Sequence, residues 1–272
     1  MSIFQIAGIG IVICVLSLFG GIAVFQKTAV YKFSPEPMHP ADYDLSSFRD
    51  VTIETEHDDP LRVWVSDPKP GKAVIISFYG NFSQLGPSVK RLKSLVNLGY
   101  GIAVMEYRGS AKGAARAGEA EFARDANALY DKLDSVMGET IGPNNRVLHG
   151  FSLGTSIATQ LAANRPAAAL ILESGFDQLC RFQARRWKGL PACKLMWAER
   201  HDVINSITSV DMPILVAHGA LDQAIPLPWS EALFDAAPAP KEFMLYDDGA
   251  HGDLLDKGLA DDIEAFLDPY VN

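Results

Sequence analysis

Gly150-Phe151-Ser152-Leu153-Gly154 stands where an apolar run ending at His149 meets a stretch of helical character. A serine on a sharp strand-to-helix turn presents its hydroxyl outward, and glycines two residues to either side relieve the crowding of such a turn. The hydroxyl alone is a weak nucleophile at neutral pH, so acyl transfer needs a base within reach and a carboxylate to orient it. Among the six histidines, His251 has that placing, in the glycine-flanked loop Asp247-Asp248-Gly249-Ala250-His251-Gly252 before the last helical stretch. His39 falls among prolines, His57 in an acidic turn and His201 in an irregular segment, while His149 and His218 end buried runs as hydrogen-bonded core residues. Asp222, in the loop Gly219-Ala220-Leu221-Asp222, supplies the carboxylate and gives the order Ser, Asp, His. Glu173, after the preceding strand, is the alternative, whereas Asp247 and Asp248 lie too close to His251 in sequence. Negative charge developing on the acyl oxygen calls for backbone donors, assigned to the N–H groups of Leu153 and of Asn81 after Gly80. The plainer readings are a helix cap for Ser152, a surface loop for His251 and an ordinary turn at Asn81.

Alternating elements must carry these residues to one place. Val51–Glu56 and Leu61–Ser66 read as strands joined by an acidic turn through Asp58-Asp59-Pro60. Near-continuous apolar runs at Ala73–Tyr79, Gly101–Tyr107, Arg146–His149, Ala168–Leu172 and Pro213–His218 read as strands buried on both faces, with a further strand at Glu242–Tyr246. Helical spacing marks Ser88–Leu98, Glu119–Met137, Ser152–Asn164, Trp229–Ala237 and Leu259–Leu267. The fold class expected is α/β, a mostly parallel sheet flanked by helices, with chemistry at the carboxyl ends of the strands.

From Ile3 to Phe25 the sequence carries no charge and only Gln5 and Ser17 as polar side chains. As a helix rising ~1.5 Å per residue, it is long enough for a hydrocarbon core ~30 Å thick. No Lys or Arg precedes it and it exceeds the apolar stretch of a cleaved signal, so a single-pass N-terminal anchor over 1–27 is the expectation. A proline-stiffened linker over 28–50 and a catalytic domain over 51–272 follow. Lys27 and Lys32 point to a cytoplasmic domain. Cys180 and Cys193, read as buried free thiols, would argue for an oxidising compartment if paired. The side of the membrane stays open.

The net charge of −9 argues against nucleic acid as a partner. Three cysteines are too few for a disulfide scaffold, and no Cys-x-x-Cys or His-Glu-x-x-His run suggests a metal site.

Gly150–Gly154, His218-Gly219-Ala220-Leu221-Asp222 with Pro226, Gly249-Ala250-His251-Gly252 and Tyr107-Arg108-Gly109 together resemble the α/β-hydrolase superfamily across essentially the whole chain. More narrowly, the chain is similar to small membrane-anchored members near acyl-protein thioesterases, monoacylglycerol lipases and serine aminopeptidase-like proteins. Tyr79-Gly80 departs from the His-Gly usual in such relatives. The resemblance does not select a substrate.

Between Leu172 and Pro213 lies the usual place for a lid, about 176–205. There Arg181, Arg185, Arg186, Lys188 and Lys194 occur without an acidic residue between Asp177 and Glu199, interleaved with Phe182, Trp187 and Trp197. Arg181, Arg185, Arg186 and Trp187 are candidates to meet an anionic headgroup or a membrane surface, against a solvated helix face over packed aromatics. The leading expectation is a serine hydrolase acting on an ester or thioester of a small acyl substrate, with no cofactor. Peptidase action on short peptides and a non-catalytic membrane-anchored binding module are the competing readings.

Overall fold

The computed structural model describes residues 3–33, 39–55, 60–109, 117–186, 188–189 and 191–271. Eight strands form one sheet in the order β1-β2-β4-β3-β5-β6-β7-β8. They are β1 Arg49–Ile53, β2 Leu61–Ser66, β3 Val74–Phe78, β4 Gly101–Met105, β5 Arg146–Phe151, β6 Ala169–Glu173, β7 Ile214–Gly219 and β8 Lys241–Tyr246. β1 and β2 run antiparallel to their neighbours, and every pairing from β4 to β8 is parallel. The expected apolar runs explain the middle of this sheet, since β3, β4 and β6 are buried at every residue. Such strands need helices over both faces.

The helices are α1 Ile3–Val30, α2 Leu85–Arg91, α3 Lys93–Asn97, α4 Glu119–Asp131, α5 Leu133–Met137, α6 Leu153–Ala162, α7 Leu179–Arg186, α8 Ala192–Leu195, α9 Val203–Ser206, α10 Leu227–Ala236 and α11 Leu259–Leu267. α6 packs on β3, β5 and β6, α4 lies against α6, α2 against β4, and α10 and α11 against β7. In α4, Phe122, Ala126, Leu129 and Tyr130 fall on one buried stripe at helical spacing. Two stretches expected as single helices are broken. Leu92 (φ −83, ψ 8) separates α2 from α3, and Lys132 (φ −101, ψ 7) separates α4 from α5.

The parallel register brings three strand ends to one rim. Phe151 is level with Glu173, Glu173 with Ala217, and Gly219 with Tyr246. The chain therefore leaves β5, β7 and β8 on the same edge, just before Ser152, Asp222 and His251.

α1 runs on past the expected anchor, and Val30, Tyr31 and Phe33 are buried in the domain core rather than extended as linker. Higher up the helix Ile9, Val12, Ile13, Leu16, Ile22 and Phe25 are exposed. Side chains of α1 are described at only some positions, and among the described residues no helix is long and apolar enough to cross a membrane. The turn through His57, Asp58 and Asp59 and most of the proline stretch, 34–38, lie outside the described residues.

Candidate active site

Ser152 sits between β5 and α6 at φ 52, ψ −116, a conformation a side-chain-bearing residue adopts only when its surroundings enforce it. Two features enforce it. Ser152 N–H donates to Glu173 O at 2.9 Å, and Ser152 O accepts from Thr155 N at 3.0 Å and Thr155 Oγ1 at 2.6 Å. The turn is also too tight for side chains beside it. A Cβ on Gly150 would stand 2.5 Å from Gly154 O, and one on Gly154 2.0 Å from Phe78 O. The serine hydroxyl is thereby held above the start of α6, where the first N–H groups, Leu153 among them, have no intrahelical acceptor.

His251 Nε2 lies 3.0 Å from Ser152 Oγ, and His251 Nδ1 lies 2.7 Å from Asp222 Oδ2. The imidazole loop is fixed from several sides. Leu221 N donates to Gly249 O at 2.9 Å, Ala250 N to Asp253 Oδ1 at 2.7 Å, and Arg91 Nε to Gly252 O at 3.0 Å. The ring rests against Phe151, centroids 5.1 Å apart.

Asp222 is buried, and its other oxygen accepts from Ala224 N and Ile225 N, both at 2.8 Å. Burial pushes its carboxyl upward. The hydrogen bonds from His251 and the two backbone N–H groups, with the attraction of the imidazole, outweigh that and leave it below the usual carboxylate range. Asp222 thus presents a fixed anion to Nδ1, leaving Nε2 free to accept a proton from the hydroxyl.

Glu173 is placed otherwise. It is 0% exposed and pairs with the Arg91 guanidinium, while His149 Nε2 stands 3.3 Å away. Burial raises its carboxyl, but Arg91 and His149 together bring it down to about 2. The expected core histidines are both buried. His149 Nδ1 meets Ser77 Oγ at 2.8 Å, and His218 meets Ser230 Oγ at 2.7 Å and Ile225 O at 3.1 Å. Burial pushes His218 below its ordinary value.

Across from the start of α6, the loop after β3 comes down on the serine. A Cβ on Gly80 would lie 3.2 Å from Ser152 Cβ and 3.0 Å from the Phe151 ring. Tyr79 is buried and stacked on Tyr107 with centroids 3.9 Å apart. Tyr107 N–H donates to Tyr79 Oη at 2.9 Å and Tyr107 Oη to Tyr79 O at 2.8 Å. The strand end is thus locked on both backbone and side chain. Asn81 follows, and among the described residues its N–H has no backbone acceptor.

In the lid, Cys180 and Cys193 form a disulfide joining α7 to α8, Cα atoms 4.7 Å apart, so the expectation of free thiols is corrected. Arg181 pairs with Asp177, and the guanidinium carbons of Arg181 and Arg185 lie 5.4 and 5.8 Å from the Trp229 ring centroid. Part of the basic patch is therefore engaged within the domain. Trp187 and the side chain of Arg186 lie outside the described residues. Among the described residues no group of three or more His, Cys, Asp and Glu is arranged to hold a metal ion.

Sequence reasoning missed the contribution of α1 to this region: Gln26, Val30 and Tyr31 are buried against the lid and the β3 loop. The signal available was the aliphatic and aromatic trio Val30, Tyr31 and Phe33 inside a supposed linker.

No family model matches the chain. The uncharacterized protein Rv2307c of Mycobacterium tuberculosis is 30% identical over 277 residues, covering 98% of this chain and 97% of that protein. The lysophosphatidylserine lipase ABHD12 of Danio rerio is 28% identical over 188 residues, covering 62% of this chain and 48% of that protein. Among solved structures, the esterase Pf2001 of Pyrococcus furiosus superposes with a TM-score of 0.69 at 18% identity, covering 89% of this chain and 97% of that one.

Proposed function

Because the chain belongs to the α/β-hydrolase superfamily, we propose that it is a membrane-anchored serine hydrolase cleaving a carboxylic ester or thioester of acyl or lipid-like character. The observation that carries this reading is the relay of 3.0 Å from Ser152 Oγ to His251 Nε2 and 2.7 Å from His251 Nδ1 to Asp222 Oδ2.

Ser152 Oγ attacks the acyl carbon as His251 Nε2 takes its proton, and Asp222 stabilises the imidazolium formed. The acyl oxygen, now negative, is met by the N–H groups of Leu153 and Asn81. His251 returns the proton to the leaving oxygen or sulfur, releasing the alcohol or thiol and leaving the acyl group on Ser152. Water then attacks that acyl group with His251 again as base, and the acid departs. The route uses these groups and water alone.

The anchor reading rests on the uncharged run from Ile3 to Phe25 and on the exposed apolar side chains of α1. For the side of the membrane, the Cys180–Cys193 disulfide favours an oxidising compartment. The opposing argument weakens, because Lys27 is engaged with Glu121 at 3.1 Å and Lys32 with Thr28 O at 2.6 Å.

A fluorophosphonate probe tests the reading: the wild-type chain is labelled and Ser152→Ala is not. Equal labelling of the two, or none of the wild type, removes it and leaves the binding module. Turnover of p-nitrophenyl esters of increasing length, acyl-CoA and monoacylglycerol, set beside short peptides, separates the esterase reading from the peptidase.

A further inference from the structure

We propose that the base of α1 and the residues just after it, 26–33, form a positioning element of the acyl-transfer centre, gripping the Asn81 carboxamide and so setting the Asn81 N–H toward the oxyanion. This rests on the serine-hydrolase reading. Both ends of the carboxamide are spent on that segment: Asn81 Nδ2 donates to Val30 O at 2.6 Å, and Asn81 Oδ1 accepts from Lys32 N–H at 3.1 Å. Neither bond reaches the rest of the β3 loop, so the side chain works as a clamp between two chain segments 51 and 49 residues apart.

A clamp positions only if its fixed jaw is rigid, and this one is. Gln26, Val30 and Tyr31 are all buried. Gln26 donates to Leu195 O at 3.0 Å and accepts from Ala198 N–H at 3.1 Å. The Tyr31 hydroxyl, kept protonated by burial and by Glu199, donates to Glu199 and stands 2.7 Å from His201 Nε2. On the other flank, Tyr107 holds the Tyr79 carbonyl. The three residues from Tyr79 to Asn81 are thus fastened at both ends, while Gly80 between them passes against Ser152. Phe82, next along, is held at φ 60 and is 69% exposed. A bulky residue seldom adopts that conformation without external restraint. An oxyanion donor is effective only when it is already oriented before charge develops. The helix read as an anchor therefore sets catalytic geometry as well as location.

The test uses the full-length protein in detergent, with Asn81→Ala and Asn81→Asp. Asn81→Ala keeps the backbone N–H and releases the clamp, so kcat falls ~10–100-fold with KM within about threefold. Affinity for a trifluoromethyl ketone, which forms a tetrahedral adduct on Ser152, falls by the same factor. A purely structural role would instead lower the melting temperature without this split. Asn81→Asp is isosteric and keeps the acceptor for Lys32 N–H but sets a carboxylate oxygen against Val30 O. Its kcat, as a ratio to wild type, recovers as pH falls and the new carboxyl is protonated to a donor. That ratio decides the matter even if Asn81→Ala does not fold. Wild-type kcat in both variants, or a pH-independent ratio, overturns the proposal while Ser152-dependent turnover persists. Absence of Ser152-dependent turnover in the wild type overturns instead the hydrolase reading on which it rests.

Discussion

Glu173→Gln tests the assignment of the two carboxylates at neighbouring strand ends. In the wild type Glu173 is fully buried, and its carboxyl is drawn from the ordinary 4.5 to about 2, chiefly because Arg91 and then His149 outweigh the cost of burial. At ~1.36 kcal/mol per unit, ionisation of this group stabilises the fold by about 3 kcal/mol at pH 7. The sign follows from the depression: the contribution is complete above ~4.5 and is lost as pH falls through about 2. Glutamine preserves the shape but has no charge for Arg91, so the variant loses that stability. For a domain of this size ~3 kcal/mol lowers the melting temperature by roughly 6–12 °C at pH 7. At pH 3 the gap shrinks to about 1 kcal/mol, because the wild-type carboxyl has surrendered most of its advantage. The assay is thermal unfolding of both proteins in detergent between pH 7 and 3, with ester turnover measured at pH 7. Glu173→Gln keeps kcat within about tenfold, whereas Asp222→Asn loses roughly 10⁴-fold by presenting the wrong partner to the imidazole. A stability gap that does not change with pH would refute the electrostatic account. The opposite activity ranking would refute the assignment of Asp222.

Other perturbations reach the remaining parts of the site. Gly154→Ala sets a methyl 2.0 Å from the backbone oxygen of Phe78, so it lowers the melting temperature and abolishes fluorophosphonate labelling together; a folded, labelled variant would contradict the turn geometry. Cys180 and Cys193 close a loop with a sequence separation of 13, worth ~3 kcal/mol in a chain-entropy account. If that constraint acts within the lid, reduction speeds tryptic cleavage after Arg185 by on the order of 100-fold, with mass spectrometry as the readout. Arg185→Gln combined with Arg186→Gln raises KM for an ester with an anionic headgroup by about thirtyfold, at ~1 kcal/mol for each of the two charges, and leaves KM for an uncharged ester alone. Equal changes for both esters would exclude a headgroup role for the patch.

Ser152 and His251 were legible because local chemistry constrains them. Only glycine fits at 150 and 154, and the histidine loop follows the last strand by a fixed short path. The core strands were legible for a similar reason, since β3, β4 and β6 are too apolar to lie anywhere but inside. Helix breaks at Leu92 and Lys132 were not, because the apolar stripe continues through both and only the backbone angles interrupt it. The packed role of residues 30–33 depends on groups as distant in sequence as Asn81 and Glu199, and prolines nearby gave the local pattern of a spacer.

The choice between Asp222 and Glu173 shows what decides such a question physically. Glu173 ends β6 and Asp222 follows β7, both side chains are buried, and both have depressed carboxyls. They differ in the charge beside them. Glu173 already faces the permanent cation of Arg91, whose partner was invisible from sequence at a separation of 82 residues. A carboxylate so matched gains little from a second positive charge, and Arg91 would oppose protonation of an imidazole brought near it. Asp222 accepts from the neutral donors Ala224 N–H and Ile225 N–H besides meeting His251, and His218, whose Nε2 stands 3.7 Å from Asp222 Oδ2, is pushed below its ordinary value by burial and is no permanent cation. In the proposed relay its charge is therefore uncommitted until the imidazole takes the serine proton, and the attraction is strongest in the state that must be stabilised. A relay carboxylate is marked by being anchored through neutral dipoles while no fixed cation competes for it.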